Sequence, residues 1–202
     1  MTNEIKDMPK LESPFVRKGG DFLVTPEINP GYEWVFEDES VTCQEKLDGT
    51  NVSIIIENGK LTRVFNRENE LNVWSDHPAI LAVRASYAKG YCNFLDGQYF
   101  GEAIGERIQG NPYKIEGNIW LPYETYFKRH LTYNSWGKYP KEFETISAWF
   151  KDGLMPLFYM NKHNGDKTGF VEGVVFHHPD GRMAKLRRDM FDWYEGKRHK
   201  QV

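Results

Sequence analysis

The sequence predicts an α+β domain built on antiparallel sheet. Three observations predict it: apolar strand-like runs are broken by tight-turn residues, helical periodicity is confined to two stretches, and the strand runs are joined by hairpin-length links rather than the crossovers of a parallel sheet. With 202 residues, 40% of them hydrophobic and 15% aromatic, the chain has ample material for one core and is expected to form a single domain over 1–202.

The first hairpin is read from Asn58-Gly59, which supplies the positive φ angles of a two-residue turn between the apolar runs 52–56 and 61–65. Helical spacing follows over 77–89, with Ile80, Leu81, Val83 and Tyr87 apolar, and over 141–151, with Phe143, Ile146, Ala148, Trp149 and Phe150. Both helices are expected to pack the core. A second hairpin is read from Pro179-Asp180-Gly181, between the runs 170–177 and 182–186.

Composition excludes several classes. No run reaches the roughly 18 apolar residues of a membrane span, and the charged start, 1–10, lacks the apolar core of a secretory signal, so a cytoplasmic location without membrane contact is expected. Cys43 and Cys92 cannot build a disulfide framework or a zinc site alone and are read as buried thiols. A net charge of −3 supplies no global field for coating nucleic acid. Local basic character stands out from Gly181 to Lys200, with Arg182, Lys185, Arg187, Arg188, Lys197, Arg198 and Lys200 against Asp189, Asp192 and Glu195.

Charges then recur inside or beside apolar strand runs, where they are costly unless paired or used. They stand in Glu45-Lys46-Leu47-Asp48-Gly49-Thr50-Asn51, Phe65-Asn66-Arg67-Glu68, Phe100-Gly101-Glu102, Val171-Glu172-Gly173 and Ala184-Lys185-Leu186-Arg187. In the second hairpin, side chains alternate faces. A loop of two or four residues puts Glu172, Lys185 and Arg187 on one face; a three-residue loop without a bulge separates them. One carboxylate and several cations including Lys46 suit a nucleoside triphosphate and a hard divalent metal. Lysine needs to lose a proton to attack, and neighbouring cations favour its neutral form. The chain carries neither the Gly-x-x-x-x-Gly-Lys-Ser/Thr loop nor the Gly-x-Ser-x-Gly elbow.

These motifs, in this order from Glu45 to about Arg188, resemble the covalent nucleotidyltransferases: ATP-dependent DNA ligases, RNA ligases and mRNA capping guanylyltransferases. Gly49-Thr50-Asn51 is most similar to the phage-type RNA ligases, because DNA ligases and capping enzymes usually carry arginine where Asn51 stands. The resemblance implies an adenylyltransferase (ATP-grasp-like ligase catalytic) domain with flanking helices and no appended OB domain. It implies that Lys46 becomes a lysyl-AMP, Glu45 lies near the purine, Arg67 near the α-phosphate or an incoming 5′-phosphate, and Glu102 on the ribose. Glu172 would hold magnesium or manganese, Lys185 and Arg187 would neutralise the α-phosphate, and Asn51 would assist later steps. Trp120 or Tyr123 would stack on the base. The implied function is ATP-dependent joining of 5′-phosphate and 3′-hydroxyl RNA ends, as in RNA repair, with the basic tail or a partner supplying what a C-terminal domain supplies elsewhere. A capping-type guanylyltransferase and a non-sealing nucleotide or RNA-end binding module are the alternatives. The family's last motif usually reads Lys-x-Lys; Arg187 keeps the charge but cannot shuttle a proton.

Overall fold

The computed structural model describes residues 5–20, 22–196 and 198, so Lys197 and Lys200 of the basic run lie outside the described residues. In chain order the strands are β1 (Phe15–Lys18), β2 (Leu23–Ile28), β3 (Thr42–Lys46), β4 (Thr50–Glu57), β5 (Lys60–Asn66), β6 (Asn69–Leu71), β7 (Gly97–Gly105), β8 (Asn118–Pro122), β9 (Gly173–His177) and β10 (Met183–Arg187). The helices are α1 (Trp34–Glu37), α2 (Pro78–Ala88), α3 (Lys128–His130), α4 (Phe143–Ala148) and α5 (Leu157–Lys162). All strand pairings among the described residues are antiparallel, and the architecture is α+β as the sequence predicts.

Contacts divide the chain into two compact units. The Asn51 unit is the described part of Met1–Pro9 with Leu47–His130; the Lys46 unit is Lys10–Lys46 with the described part of Leu131–Val202.

The Asn51 unit holds a five-stranded sheet in the order β6-β5-β4-β7-β8. The expected first hairpin is present, with Asn58 at φ 52° and Gly59 at φ 69° turning β4 into β5. Strand alternation sends Val52, Ile54 and Ile56 to one face, where they form a core with Val64, Ala103, Trp120 and the Ala79, Ile80, Ala82 and Val83 stripe of α2. That helix begins at His77, whose Nδ1 accepts from the Ala79 N–H at 3.2 Å. Ser86 locks helix to sheet: its hydroxyl donates to the Trp120 carbonyl at 2.7 Å and accepts the Trp120 N–H at 2.9 Å.

The Lys46 unit holds the β10-β9-β3 sheet and the β1-β2 ribbon. Cys43 on β3, Val174 and Phe176 on β9, and Ala184 and Leu186 on β10 enter a core with Phe15, Val35, Ile146, Phe150 and Phe191. The predicted helix over 141–151 forms as α4 followed by a π turn, Trp149–Gly153. Both cysteines are buried free thiols.

The second hairpin differs from the registers that favour a shared face. Pairing runs from Met183 with His177 to Arg187 with Gly173, and the His178 N–H bonds to the Arg182 carbonyl, leaving Pro179, Asp180 and Gly181 at the tip. This is the odd, three-residue loop. It sends Val174 and Phe176 to the core face with Ala184 and Leu186, while Lys185 and Arg187 take the other face. No helix among the described residues is long and apolar enough to cross a membrane.

Candidate functional site

In the Lys46 unit, register assembles the cations row by row. Lys46 pairs with Gly173, which pairs on its other side with Arg187; Gln44 pairs with Val175, which pairs with Lys185. Lys46, Lys185 and Arg187 therefore share the sheet face opposite the core. Gly173 stands between Lys46 and Arg187 without a side chain, and a Cβ there would come within 2.6 Å of the Arg187 Cα.

Glu172 joins this face by a route the hairpin argument does not contain. It precedes β9, so alternation does not govern it; its carbonyl accepts from the Arg188 N–H at 2.9 Å. Its side chain reaches the Lys46 ammonium, with Nζ 2.5 Å from Oε2, and is only 5% exposed. The carboxylate and the cations are thus brought together although the loop is odd.

Burial, then the positive charges of Arg187 and Lys46, lower the Lys185 pKa from its ordinary value, against the opposing pull of Glu12 and Glu172. Arg187 is buried, and its Nε stands 3.0 Å from Asp189 Oδ1 at an angle that does not make a hydrogen bond. Burial and then the charge of Arg187 lower the pKa of Arg17 on β1, against the pull of Asp189 and Glu12. Sequence reasoning missed Arg17, because nothing in the run Phe15–Lys18 marks it until the fold sets it near β10.

Glu45 lies on the core face and is fully buried. Its Oε2 accepts from the Phe158 N–H at 2.7 Å. Phe158 is the second residue of α5, where Pro156 offers no side-chain cap. Glu45 therefore caps that helix from another strand, on the sheet face opposite Lys46. Burial pushes its pKa up to about 8 despite the helix N–H bonds, and Oε1 has no hydrogen-bond partner.

The Asn51 unit carries a second polar group. Asn51 on β4 pairs directly with Glu102 on β7. The Tyr123 hydroxyl donates to Glu102 Oε2 and accepts from Asn51 Nδ2 at 3.1 Å, while Asn51 Oδ1 is buried without a hydrogen-bond partner. Tyr123 thus ties together two of the expected site residues. Trp120 does not join them: it is fully buried in the core, with its indole N–H on the Val52 carbonyl at 3.0 Å. Gly101 makes room for that ring, since a Cβ would lie 2.6 Å from Trp120 Cε2. Arg67 sits in the turn between β5 and β6 at φ 54°, with Nη1 3.0 Å from Asp7 Oδ2.

No group of three or more His, Cys, Asp and Glu side chains able to hold a metal occurs among the described residues. One buried carboxylate, Glu172, is nevertheless a donor set that magnesium accepts, because that ion commonly takes one or two carboxylates and completes its shell with phosphate oxygens and water.

The family model for RNA ligase matches residues 39–193. Among solved structures, the chain is similar to Naegleria gruberi RNA ligase with pyrophosphate at 19% identity and a TM-score of 0.56, covering 91% of this chain and 61% of that one. An E227A mutant of the same ligase with ATP and Mn matches at 18% identity and a TM-score of 0.55, covering 88% of this chain and 59% of that one. The chain therefore spans about three fifths of the length of these ligases, and the likeness shows a common fold. A search among curated proteins finds no match.

Proposed function

The chain belongs to the RNA ligase family, and on that premise we propose that it is an ATP-dependent enzyme of the cytoplasm that joins a 5′-phosphate to a 3′-hydroxyl RNA end through a lysyl-AMP at Lys46. One observation carries the reading. Lys46 is held against the buried carboxylate of Glu172 on a sheet face that also presents Lys185 and Arg187. Simple nucleotide binding does not need an amine at the centre of such a group.

In the proposed reaction the Lys46 amine, once deprotonated, attacks the α-phosphorus of ATP. The nitrogen–phosphorus bond forms, the bond from the α-phosphorus to the bridging oxygen breaks, and pyrophosphate leaves with that oxygen. Lys185 and Arg187 would neutralise the charge that builds on the phosphate oxygens, a preorganised contribution that acts without solvent reorganisation. Gly173 keeps the row between Lys46 and Arg187 open. Glu172 would hold a divalent cation, magnesium or manganese, which when bound neutralises phosphate charge.

For the remaining roles, Asn51, with its unpartnered Oδ1, Glu102 and Tyr123 form a polar group suited to a ribose and a base edge. Tyr123 is the aromatic we assign to base stacking, since Trp120 is consumed by the core. Arg67 is assigned to a phosphate. AMP then passes to a 5′-phosphate, and a 3′-hydroxyl displaces it to seal the strand.

The test is incubation with magnesium and ATP labelled at the α-phosphate, followed by denaturation. Label that survives denaturation and vanishes in Lys46→Ala is expected. Label from GTP alone would establish a capping-type enzyme, and no label from either would leave a binding module.

A further inference from the structure

Trp74 is 82% exposed, an unusual place for the largest apolar side chain. It is not there through disorder of its loop. The Trp74 N–H is held by Asn72 Oδ1 at 2.9 Å, the Ser75 N–H and hydroxyl both donate to the Asn72 carbonyl at 3.0 and 2.8 Å, and His77 caps α2 immediately afterwards. Neighbouring Val73 packs against the core of the Asn51 unit, so the backbone turns one apolar residue in and pushes the next out. The indole is presented on a fixed base.

Two guanidinium groups accompany it. Arg84, on the second turn of α2, places its Cζ 5.8 Å from the centre of the Trp74 ring. Arg107 donates to the Asp76 carbonyl at 3.4 Å, bringing a second cation to the same loop. The opposing charge within the loop is the carboxylate of Asp76. Leu95 is as exposed, at 85%, but an aliphatic side chain offers no π face.

An exposed aromatic plane flanked by arginines is the device by which proteins hold single-stranded nucleic acid: the ring stacks on a base of any sequence and the cations take the adjoining phosphates. We propose that Trp74, Arg84 and Arg107 form a binding surface for single-stranded RNA in the Asn51 unit, additional to the residues assigned to nucleotide chemistry. The ligand class, RNA rather than a protein surface, rests on the ligase reading; the surface itself rests on the geometry of the loop.

The test measures binding of a fluorescent 5′-phosphorylated oligoribonucleotide by anisotropy, with lysyl-AMP formation followed in parallel. Trp74→Ala is expected to weaken RNA binding about 5- to 100-fold, Trp74→Phe to restore most of it, and an abasic oligoribonucleotide to bind wild type as weakly as Trp74→Ala binds the normal one. Arg84→Ala should weaken binding and reduce the slope of log affinity against log salt by about 0.7. Lys46 labelling should be unchanged in these variants. RNA affinity unaltered in Trp74→Ala overturns the surface, as does a loss that phenylalanine does not restore. A Trp74→Ala change in self-association or protein binding at constant RNA affinity overturns it in favour of a protein-docking face. Wild-type protein that binds RNA through Trp74 yet forms no lysyl-AMP would retain the surface and sink the ligase reading instead.

Discussion

The ammonium of Lys46 and the carboxylate of Glu172 meet at 2.5 Å across 126 positions of sequence. The pair is mostly shielded from water, with Lys46 at 25% and Glu172 at 5% side-chain exposure, so each charge depends on the other. Removing either has a different consequence. Lys46→Ala should abolish covalent labelling outright, because no other group supplies the nucleophile. Glu172→Ala should leave the amine present but lower the labelling rate by about 100-fold or more, the scale of losing a preorganised electrostatic group. Quench-flow labelling at saturating ATP measures both; equal rates in wild type and Glu172→Ala would remove Glu172 from the chemistry.

Glu45 makes stability depend on pH in a direction opposite to most carboxylates. In the unfolded chain it releases its proton near 4.5, and in the fold at about 8. Between those values the folded state binds more protons, so stability falls as pH rises, by at most about 1.4 kcal/mol per pH unit. Glu45→Gln keeps the helix-capping oxygen and removes the proton. Thermal unfolding from pH 5 to pH 9 should show wild type losing Tm relative to Glu45→Gln across the window, with the difference levelling above about 8. Parallel curves would show that the carboxyl is not buried as described.

Part of this arrangement was legible in the sequence and part was not. Asn58-Gly59 announced its hairpin because few residues accept two consecutive positive φ angles, and the α2 stripe was periodic enough to read. The charged residues of β3 and β10 stood out because a charge in an apolar strand needs a reason, and the fold brings Lys46, Lys185 and Arg187 to one face. The second hairpin was harder: Pro179-Asp180-Gly181 marks a turn but not its length, and one residue of loop reverses which side chains are buried. Motif adjacency points to Glu45, and to Trp120 or Tyr123, but says nothing of burial: alternation sends Glu45 to the core face and packing under α2 buries Trp120. Arg17 and Trp74 carry no local pattern at all. Their significance comes from tertiary neighbours.

Tyr123 and Trp120 separate base binding from packing. Tyr123→Ala removes the ring and the hydroxyl that joins Asn51 to Glu102, and should raise the KM for ATP in the labelling reaction about tenfold, with a loss of roughly 1–3 kcal/mol for the buried polar groups it strands. Trp120→Phe strands the Val52 carbonyl that the indole N–H bonds and leaves a gap over Gly101, and should lower Tm while leaving KM near wild type. A KM that responds to Trp120→Phe and ignores Tyr123→Ala would reverse the assignment.

Gly173 tests whether the row Lys46, Gly173, Arg187 is a working unit. A methyl group there would meet the Leu186 carbonyl and approach the Arg187 Cα to 2.6 Å, and neither is the end of a flexible side chain, so the β9-β10 pair has to shift. Overpacking of this kind costs about 1–3 kcal/mol, which for a chain of this size lowers Tm by about 2–4 °C per kcal/mol. The same shift displaces Arg187 relative to Lys46, so labelling should slow even in the fraction that is folded at 25 °C. Gly20→Ala is the control, because a Cβ at that position meets nothing within 4 Å. Scanning calorimetry and the labelling rate, measured on the same preparations, decide it: a normal rate in Gly173→Ala together with a lowered Tm would mean that the glycine serves sheet packing alone and that Arg187 does not act on the group that Lys46 attacks.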